Sequence, residues 1–311
     1  MSTVVIEKYD ISLEYSTDCL VIRSPDGPVR TLPLKRISKV VCLHNVQLTT
    51  QLLGQLHQRG IDFIVLNSRY VKHSFALYAE THQAAFRRCQ QYHWQLDPAS
   101  RLVLAQSLCR HKFVQSLRAV PEQAGSFRGQ FEMALERVHL CHNEEQLRGL
   151  EGSVQRGMFR YWRQQLDPKW SFEQRLRRPP PDPVNALLSF AYTLVHHEAI
   201  RQAKRYGLDP DLGFYHRLAY SRQSLACDLM EPLRPQVEGW LVTLLQQDAL
   251  TLRHFRTHKD TGCLLGKEGR LVFYGLFEQK LPQWRRSLGA KARWLGKVMR
   301  QHPATGLEVV A

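Results

Sequence analysis

A change in hydrophobic periodicity near residues 80–85 divides this 311-residue sequence into two parts. Before it, short β-branched segments alternate with turn signals such as the run SPDGP at 24–28. After it, apolar residues recur with a helical period almost throughout. The length agrees, because domains of about 150 residues would make two. The sequence therefore predicts an α+β chain: a small β-rich domain over residues 1–80, then a larger all-α domain over residues 85–311.

Individual elements follow from the same periodicities. The β-rich part predicts one helix, 46–59, and strands at 3–6, 19–23, 29–34, 37–43, 61–66 and 75–79, with 19–23 and 29–34 forming a hairpin. The second part predicts helices at 82–95, 99–120, 122–147, 151–166, 184–206, 225–247 and 282–301. Between two of these helices, the proline-rich run RLRRPPPDP at 175–183 predicts an extended, packed crossover.

The charge balance favours an anionic partner. The chain carries 43 basic and 28 acidic residues, a net charge of +15, and most of that excess follows residue 75. Such an excess is typical of nucleic-acid binding. The seven cysteines are scattered without a CxxC pair, which indicates reduced thiols rather than a disulfide framework or a zinc site. With neither a signal peptide nor an apolar run of about 20 residues, the sequence predicts a cytoplasmic protein with no membrane span.

One stretch, residues 207–235, contains a candidate site for a divalent metal. A turn-forming run leads to His216, and a predicted helix then presents Asp228 and Glu231 on one face. An imidazole and carboxylates suit Mg²⁺ or Mn²⁺, although a solvated helix face is the commoner explanation of such spacing. Glu151 begins another predicted helix, where it is either a further ligand or an acid that stabilises the helix dipole.

Several stretches together resemble the family of CRISPR-associated endonuclease–integrases, the larger subunit of the spacer-acquisition complex. They are EGSVQRGMFRYW at 151, RLRRPPPDPVNALLSFAYTLV at 175, GLDPDLGFYHRLAYSRQSLACDLMEPLRP at 207, the strand IDFIVLN at 61, FRRCQQY at 86 and RLVLAQSLCRHK at 101. Their order and spacing agree over essentially the whole chain. The resemblance implies a β-sandwich-like first domain, a homodimer formed largely through it, and assembly with a small companion acquisition subunit.

The resemblance also implies the site residues. Glu151, His216 and Glu231 would ligate the metal, and Asp228 would act beside them on the metal, the attacking group or a water. Some relatives have aspartate at the last ligand, whereas this chain has Glu231 followed by Pro232. Because proline disfavours helical geometry in the residue before it, we expect a kink there.

The function that this implies is metal-dependent phosphoryl transfer on double-stranded DNA. The metal would stabilise charge on the phosphate, and a DNA 3′-hydroxyl would attack to join spacer precursors into a repeat array. Two alternatives remain open at this stage. One is a metal-dependent nuclease that acts on branched or repair DNA without integration, and the other is a non-catalytic DNA-bridging subunit.

Basic side chains supply candidate DNA contacts. Residues 281–302 contain no acid and interleave Trp284 and Trp294 with arginines and lysines, although a solvated tail helix explains this pattern equally well. Two further arginines flank the acids of the candidate site. The candidate contacts are Arg222, Arg234, Arg285, Arg286, Lys291 and Arg293.

Overall fold

The computed structural model describes residues 2–25, 27–66, 74–78, 85–220, 222–258 and 260–301. The chain divides into two compact units, residues 1–83 and residues 84–311. Residues 79–84 lie outside the described residues. The domain boundary that the periodicity predicts falls there, together with the end of the strand predicted at 75–79 and the start of the helix predicted at 82–95.

The first unit contains the β-strands that the sequence predicts and two more. In chain order its elements are β1 (Ser2–Ile6), β2 (Ile11–Ser16), β3 (Cys19–Arg23), β4 (Arg30–Pro33), β5 (Ile37–Cys42), β6 (Val46–Leu48), α1 (Thr50–Gln58), β7 (Asp62–Val65) and β8 (Phe75–Leu77). The predicted hairpin is confirmed, since β3 and β4 pair antiparallel. Sequence reasoning missed β2 and assigned the residues of β6 to the start of α1. In the structure α1 begins at Thr50, because the Thr49 side chain caps it by accepting a hydrogen bond from Leu52 N.

Two four-stranded sheets form this unit. One has the order β1-β5-β7-β8, in which β1, β5 and β7 are parallel and β8 is antiparallel. The other has the order β4-β3-β2-β6. Ile6 and Val40 of the first sheet share one core with Leu13 and Leu20 of the second and with Leu52 of α1, and all five are buried. Burial from both sheets in one core is the arrangement of a sandwich.

The second unit is helical. Its elements are α2 (Ala85–Leu96), α3 (Pro98–Ala119), α4 (Gly125–Arg137), α5 (Glu144–Gln165), α6 (Pro183–Arg205), α7 (Ser224–Met230), α8 (Arg234–Gln246), β9 (Phe255–His258), β10 (Gly262–Leu265) and α9 (Lys267–Gln301). The predicted fold class, a small β domain followed by a larger α domain, is confirmed. Among the residues described, no helix is both long and apolar enough to cross a membrane.

Some predicted helix boundaries were wrong, each for a local reason. The helix assigned to 122–147 ends at Arg137, because a 3-10 turn follows and the Asn143 side chain starts α5 by accepting a hydrogen bond from Gln146 N at 2.9 Å. The helix assigned to 282–301 begins at Lys267, so Pro282 lies inside α9 rather than at its start. The hairpin of β9 and β10 was missed.

The proline-rich crossover is packed, as predicted. Cys263 N at the start of β10 donates to Pro180 O at 2.8 Å. Gly262 makes this approach possible: its φ is +71°, and a Cβ there would lie 2.4 Å from Pro180 O. The crossover leads to Asp182, whose side chain caps α6 by accepting a hydrogen bond from Asn185 N.

Candidate metal centre

Glu151 lies in the interior of α5, not near its start as the sequence suggested. The helix begins seven residues earlier, at Glu144, because Asn143 caps it there. The dipole of a helix acts mainly within its first turn, so a dipole-stabilising role does not explain Glu151. Its side chain, 16% exposed, instead faces a cleft in the helical unit.

Glu231 lies where α7 gives way to α8. The single helix predicted over 225–247 is divided by a 3-10 turn, Glu231–Leu233, so the expected break at Pro232 exists. Glu231 itself nevertheless keeps helical angles, φ −54° and ψ −47°, which corrects the expectation that proline would drive it out of the α region. Its N–H is still bonded to the carbonyls of Asp228 and Cys227, which holds this geometry. The side chain is only 7% exposed and lines the same cleft.

His216 is held by the carboxylate of Asp228. The backbone N–H groups of Phe214 and Tyr215 donate to Asp228 Oδ2 at 2.6 and 3.0 Å. The N–H of His216 reaches Asp228 Oδ1 at 2.9 Å, and the ring nitrogen Nδ1 lies 2.7 Å from the same oxygen. Gly213 permits the approach, since a Cβ there would lie 2.9 Å from Asp228 Oδ2 and 2.7 Å from the Ser224 carbonyl carbon.

These contacts assign the histidine tautomer. With Nδ1 of His216 donating to Asp228 Oδ1, the neutral ring has its lone pair on Nε2. Nε2 lies 3.8 Å from Glu231 Oε1, on the cleft side. The carboxylate of Asp228 is fully buried and engaged by three N–H groups and one ring nitrogen, which suits a group that positions a ligand.

Lys112 of α3 joins the two acids, and sequence reasoning missed it. Its ammonium group donates to Glu151 Oε1 and, at 2.6 Å, to Glu231 Oε2, and its side chain is only 1% exposed. A signal was present, because Lys112 continues the buried stripe of Leu104 and Leu108 at a spacing of four residues. A lysine in an apolar stripe needs a buried counter-charge.

The charges of this cluster stabilise one another. Burial opposes the charged form of Glu231, but the charges of Arg234 and Lys112 outweigh it and hold the pKa of this carboxyl well below its usual range. Burial likewise opposes the charge on Lys112, and the carboxylates of Glu231 and Glu151 overcome it and raise the lysine pKa. Burial and the nearby Glu151 charge raise the pKa of Tyr215, whose hydroxyl donates to Glu151 Oε2 at 3.1 Å.

The donor set fits a hard divalent ion in its chemistry. Two carboxylates and one neutral imidazole are oxygen and nitrogen ligands that Mg²⁺ or Mn²⁺ accepts, with positions left for water and phosphate. Within the part of the chain that the structure describes, however, no three acidic, histidine or cysteine side chains converge closely enough to ligate one ion. Both acids contact the Lys112 ammonium instead.

The cleft around these residues has a volume of about 660 Å³ and a basic wall. Its arginines come from α5, from the crossover and from the start of α8. Beside Glu151, His216, Glu231 and Lys112, the lining includes Arg156, Phe159, Arg160, Arg175, Arg177, Tyr192, Tyr215 and Arg234. Such a wall suits a phosphate-bearing ligand next to the acids.

Arg234 supports Glu231 rather than standing free. Its Nε donates to Glu231 Oε1 at 2.7 Å, and its guanidinium lies 4.5 Å from the centre of the Tyr192 ring. The Tyr192 hydroxyl donates to the buried Glu238 at 2.5 Å, and Trp162 Nε1 donates to the same carboxylate. The arginine is therefore fixed from behind by a buried polar network.

The other candidate DNA contacts differ in how they are held. Arg285 donates to both oxygens of the fully buried Glu198, at 2.9 and 3.2 Å, and the Arg222 guanidinium donates to Ser224 Oγ and Arg217 O. These contacts give both arginines structural partners. Arg286, by contrast, is exposed.

Two more candidates on α9 stack on aromatic rings. Lys291 lies 5.3 Å from the centre of the Trp294 ring, and burial lowers its pKa to about 8. Arg293 lies over the Tyr206 ring and donates to its hydroxyl at 3.0 Å. Arg293 is exposed, so it can still meet a phosphate, whereas Lys291 is half-buried.

Known proteins resemble this chain in sequence and in fold. Residues 4–279 match the family described as CRISPR associated protein Cas1. The chain is 33% identical over 297 residues to CRISPR-associated endonuclease Cas1 1 of Thermodesulfovibrio yellowstonii, covering 92% of this chain and 93% of that protein.

Solved structures agree in fold. A Cas1 protein of Thermotoga maritima superposes with a TM-score of 0.87 at 20% identity, covering 99% of this chain and all of that one. A casposase bound to integration product gives 0.86 at 19% identity, covering 97% of this chain and 91% of that one. The chain of a Cas6-RT-Cas1–Cas2 complex gives 0.80 at 20% identity over 96% of this chain, which matches 35% of that longer chain.

The fold and the cleft together define a class of two-unit chains, in which a small β unit precedes a helical unit with a buried acid–histidine cluster and a basic wall. The chain belongs to the Cas1 family of CRISPR-associated proteins.

Proposed function

We propose that this chain is a metal-dependent DNA endonuclease and integrase of CRISPR adaptation, which joins short spacer fragments into the repeat array. The observation that carries the proposal is the meeting of Glu151, His216 and Glu231 at one cleft with arginines on its wall. Membership of the Cas1 family, whose curated relatives are named endonucleases, supports hydrolysis. The shared fold with a casposase bound to integration product supports strand transfer.

Glu151, His216 and Glu231 would hold Mg²⁺ or Mn²⁺ in this proposal. The ion, when bound, stabilises charge on the reacting phosphate and activates the attacking oxygen. Asp228 accepts the hydrogen bond of His216 Nδ1 and orients the ring, so that Nε2 would face the ion. Exposed arginines of the wall, such as Arg156 and Arg160, would grip phosphates on either side of the reacting bond and fix its position.

The same protein groups serve both reactions, because only the attacking oxygen differs. Water gives hydrolysis, and a DNA 3′-hydroxyl gives strand transfer. Either attack forms a new P–O bond, breaks the bond to the leaving 3′-oxygen and moves one proton from the attacking to the leaving group. An open cleft that admits duplex DNA is required for the second reaction.

DNA is one proposed partner, as spacer precursor and as repeat array, and two protein partners complete the assembly. The small companion acquisition subunit is supported by the fold shared with the Cas6-RT-Cas1–Cas2 complex. A homodimer through the β unit is supported by apolar side chains at sheet edges: Leu32 on β4, and Phe75 and Leu77 on β8, are 37%, 50% and 48% exposed. Sedimentation velocity of the free protein is expected to give twice the chain mass.

Strand transfer with Mn²⁺ tests the function. The substrates are a pre-cut duplex with free 3′-hydroxyls and a plasmid that contains repeats, with and without the companion subunit. Glu151→Ala and His216→Ala are each expected to lower product by 100-fold or more, as loss of an essential metal ligand does. Glu145→Ala is the control, because this exposed acid lies on the same helix in its first turn.

The outcomes separate the alternatives. Cleavage of branched DNA without any joined product would favour a nuclease over an integrase. DNA binding that survives in Glu151→Ala, with no metal-dependent product from the unsubstituted protein, would favour a bridging subunit. Full strand transfer by a folded Glu151→Ala protein would contradict the site assignment.

A further inference from the structure

Lys112 has an unusual environment for a lysine that lies in a cleft with two acids. It is only 1% exposed, so its ammonium group cannot turn to bulk water as lysines at a cleft rim do. It projects from α3 among buried neighbours, Leu108, Cys109 and Phe113. The Lys112 side chain thereby links three elements: α3, α5 through Glu151, and the 3-10 turn between α7 and α8 through Glu231.

The contacts divide the four carboxylate oxygens into two sets. The Lys112 ammonium group donates hydrogen bonds to Glu151 Oε1 and Glu231 Oε2. Among the described residues, Glu151 Oε2 accepts a hydrogen bond from the Tyr215 hydroxyl. Glu231 Oε1 accepts one from Arg234 Nε and lies 3.8 Å from His216 Nε2. Each carboxylate oxygen has two lone pairs, so the second set retains capacity for another cation beside the histidine.

We propose that Lys112 is a positioning residue: its ammonium group neutralises the two acids from behind, so that Glu151 and Glu231 stay side by side at the cleft before a divalent ion binds. The inference rests on the proposed function for the identity of the ligands. Two carboxylates this close repel each other and resist burial unless a cation offsets them. Lys112 is that cation, and a divalent ion would share the same negative charge with it.

The arrangement makes metal and lysine mutually unfavourable. Both are cations next to the same two carboxylates, so each weakens the attraction that the acids have for the other. Lys112 therefore holds the two acids together, but the protein binds a divalent ion less tightly than the same acids would without the lysine. This coupling between the Lys112 charge and the metal is reciprocal. The lysine therefore lowers both the affinity of the protein for the metal and the stabilisation that the metal gives to the fold.

Lys112→Met tests this, because methionine keeps a similar length without the charge. Thermal unfolding is measured in EDTA and in Mn²⁺, and Mn²⁺ affinity is measured by electron paramagnetic resonance of the free ion. In EDTA the melting temperature of Lys112→Met is expected to fall by several degrees. Mn²⁺ should then raise it by more than it raises the unsubstituted protein, and the dissociation constant should fall roughly tenfold.

Two further variants make the result specific. In Lys112→Met/Glu151→Gln one acid is neutralised, so this double variant is expected to melt above Lys112→Met in EDTA even if the single variant is poorly folded. Arg285→Met is the matched control, because it removes a cation from the buried Glu198 carboxylate, and neither residue lines the cleft. Its melting temperature should fall by the same amount with and without Mn²⁺.

The proposal is overturned if Mn²⁺ binds both proteins but stabilises Lys112→Met no more than the unsubstituted protein, or if Glu151→Gln brings no recovery. Failure of the proposed function looks different. In that case no variant would bind Mn²⁺, while recovery by Glu151→Gln would still show that Lys112 neutralises the acids.

Discussion

At the scale of single residues, the carboxylate of Asp228 determines how the histidine is presented. It engages three consecutive backbone N–H groups, those of residues 214–216, and the His216 ring, so one buried side chain fixes both the loop and the tautomer. A direct ligand would have to turn an oxygen toward the metal and release some of these groups. The contacts therefore favour a positioning role for Asp228, and Glu151, His216 and Glu231 remain the proposed ligands.

Asp228→Asn is expected to lower both the stability of the protein and its affinity for Mn²⁺. The amide keeps one acceptor oxygen, but its NH₂ group would face an N–H donor, which leaves a buried donor unsatisfied at a cost of about 1–3 kcal/mol. Without a carboxylate at Nδ1, Mn²⁺ affinity should fall by roughly 10- to 100-fold. Thermal unfolding and Mn²⁺ titration measure both effects.

Asp248→Asn is the control for this change. Asp248 is exposed and has a φ of 51°, a conformation that asparagine also tolerates. Its substitution should change neither quantity. Unchanged Mn²⁺ affinity in a folded Asp228→Asn protein would contradict the positioning role.

At the scale of elements, much of the helical unit could be predicted from its apolar period. The helices assigned to 99–120 and 184–206 differ from α3 and α6 by one residue at each end, because Asp97 and Asp182 provide clear caps. What failed depended on distant contacts. No local pattern shows that Pro282 is tolerated inside α9, or that Lys112 on α3 meets acids more than 38 residues further along the chain.

The neighbouring arginines of α9 give a prediction at this scale. Arg285 joins α9 to α6 through the buried Glu198, whereas Arg286 is exposed. Arg285→Ala should lower the free energy of unfolding by about 3–5 kcal/mol, since it removes a cation that donates two hydrogen bonds to a buried carboxylate. Arg286→Ala should change it by less than about 0.5 kcal/mol.

DNA affinity measured on the same two proteins completes the comparison. If α9 contacts DNA, Arg286→Ala should weaken binding, while folded Arg285→Ala should bind almost normally. The reverse order of DNA affinities would mean that Arg285 leaves Glu198 to meet a phosphate.

At the scale of the whole molecule, the net charge of +15 and the basic wall of the cleft point to the same partner. Most of the positive excess lies in the sequence of the helical unit, which also contains the cleft. Composition alone gave the class of partner, but only the fold could bring Glu151 beside His216 and Glu231, because Glu151 is 65 residues from the histidine in sequence.

Salt dependence of duplex binding is the corresponding prediction. The logarithm of the association constant should fall linearly with the logarithm of salt concentration, with a slope near −4.5 if about five phosphates are neutralised. Arg156→Gln should reduce that slope by about one unit, because an exposed arginine of the cleft is lost.

Fluorescence anisotropy measures this slope through the duplex affinity between 50 and 200 mM salt. Phosphate contacts weaken by orders of magnitude over that range. Arg23→Gln in the β unit, where Arg23 pairs with Glu14, should leave the slope unchanged. A flat dependence for the unsubstituted protein would argue against a phosphate-tracking cleft.

The three backbone N–H groups that are bonded to Asp228 should exchange their hydrogens with solvent slowly. Residues 214–216 belong to neither a helix nor a strand, yet their N–H groups end on a carboxylate that is wholly buried on α7. Hydrogen exchange at these positions must wait until α7 opens, so the loop shares the lifetime of the helix rather than that of a surface connection. The backbone of His216 therefore exchanges like part of the core, although its ring lines the cleft.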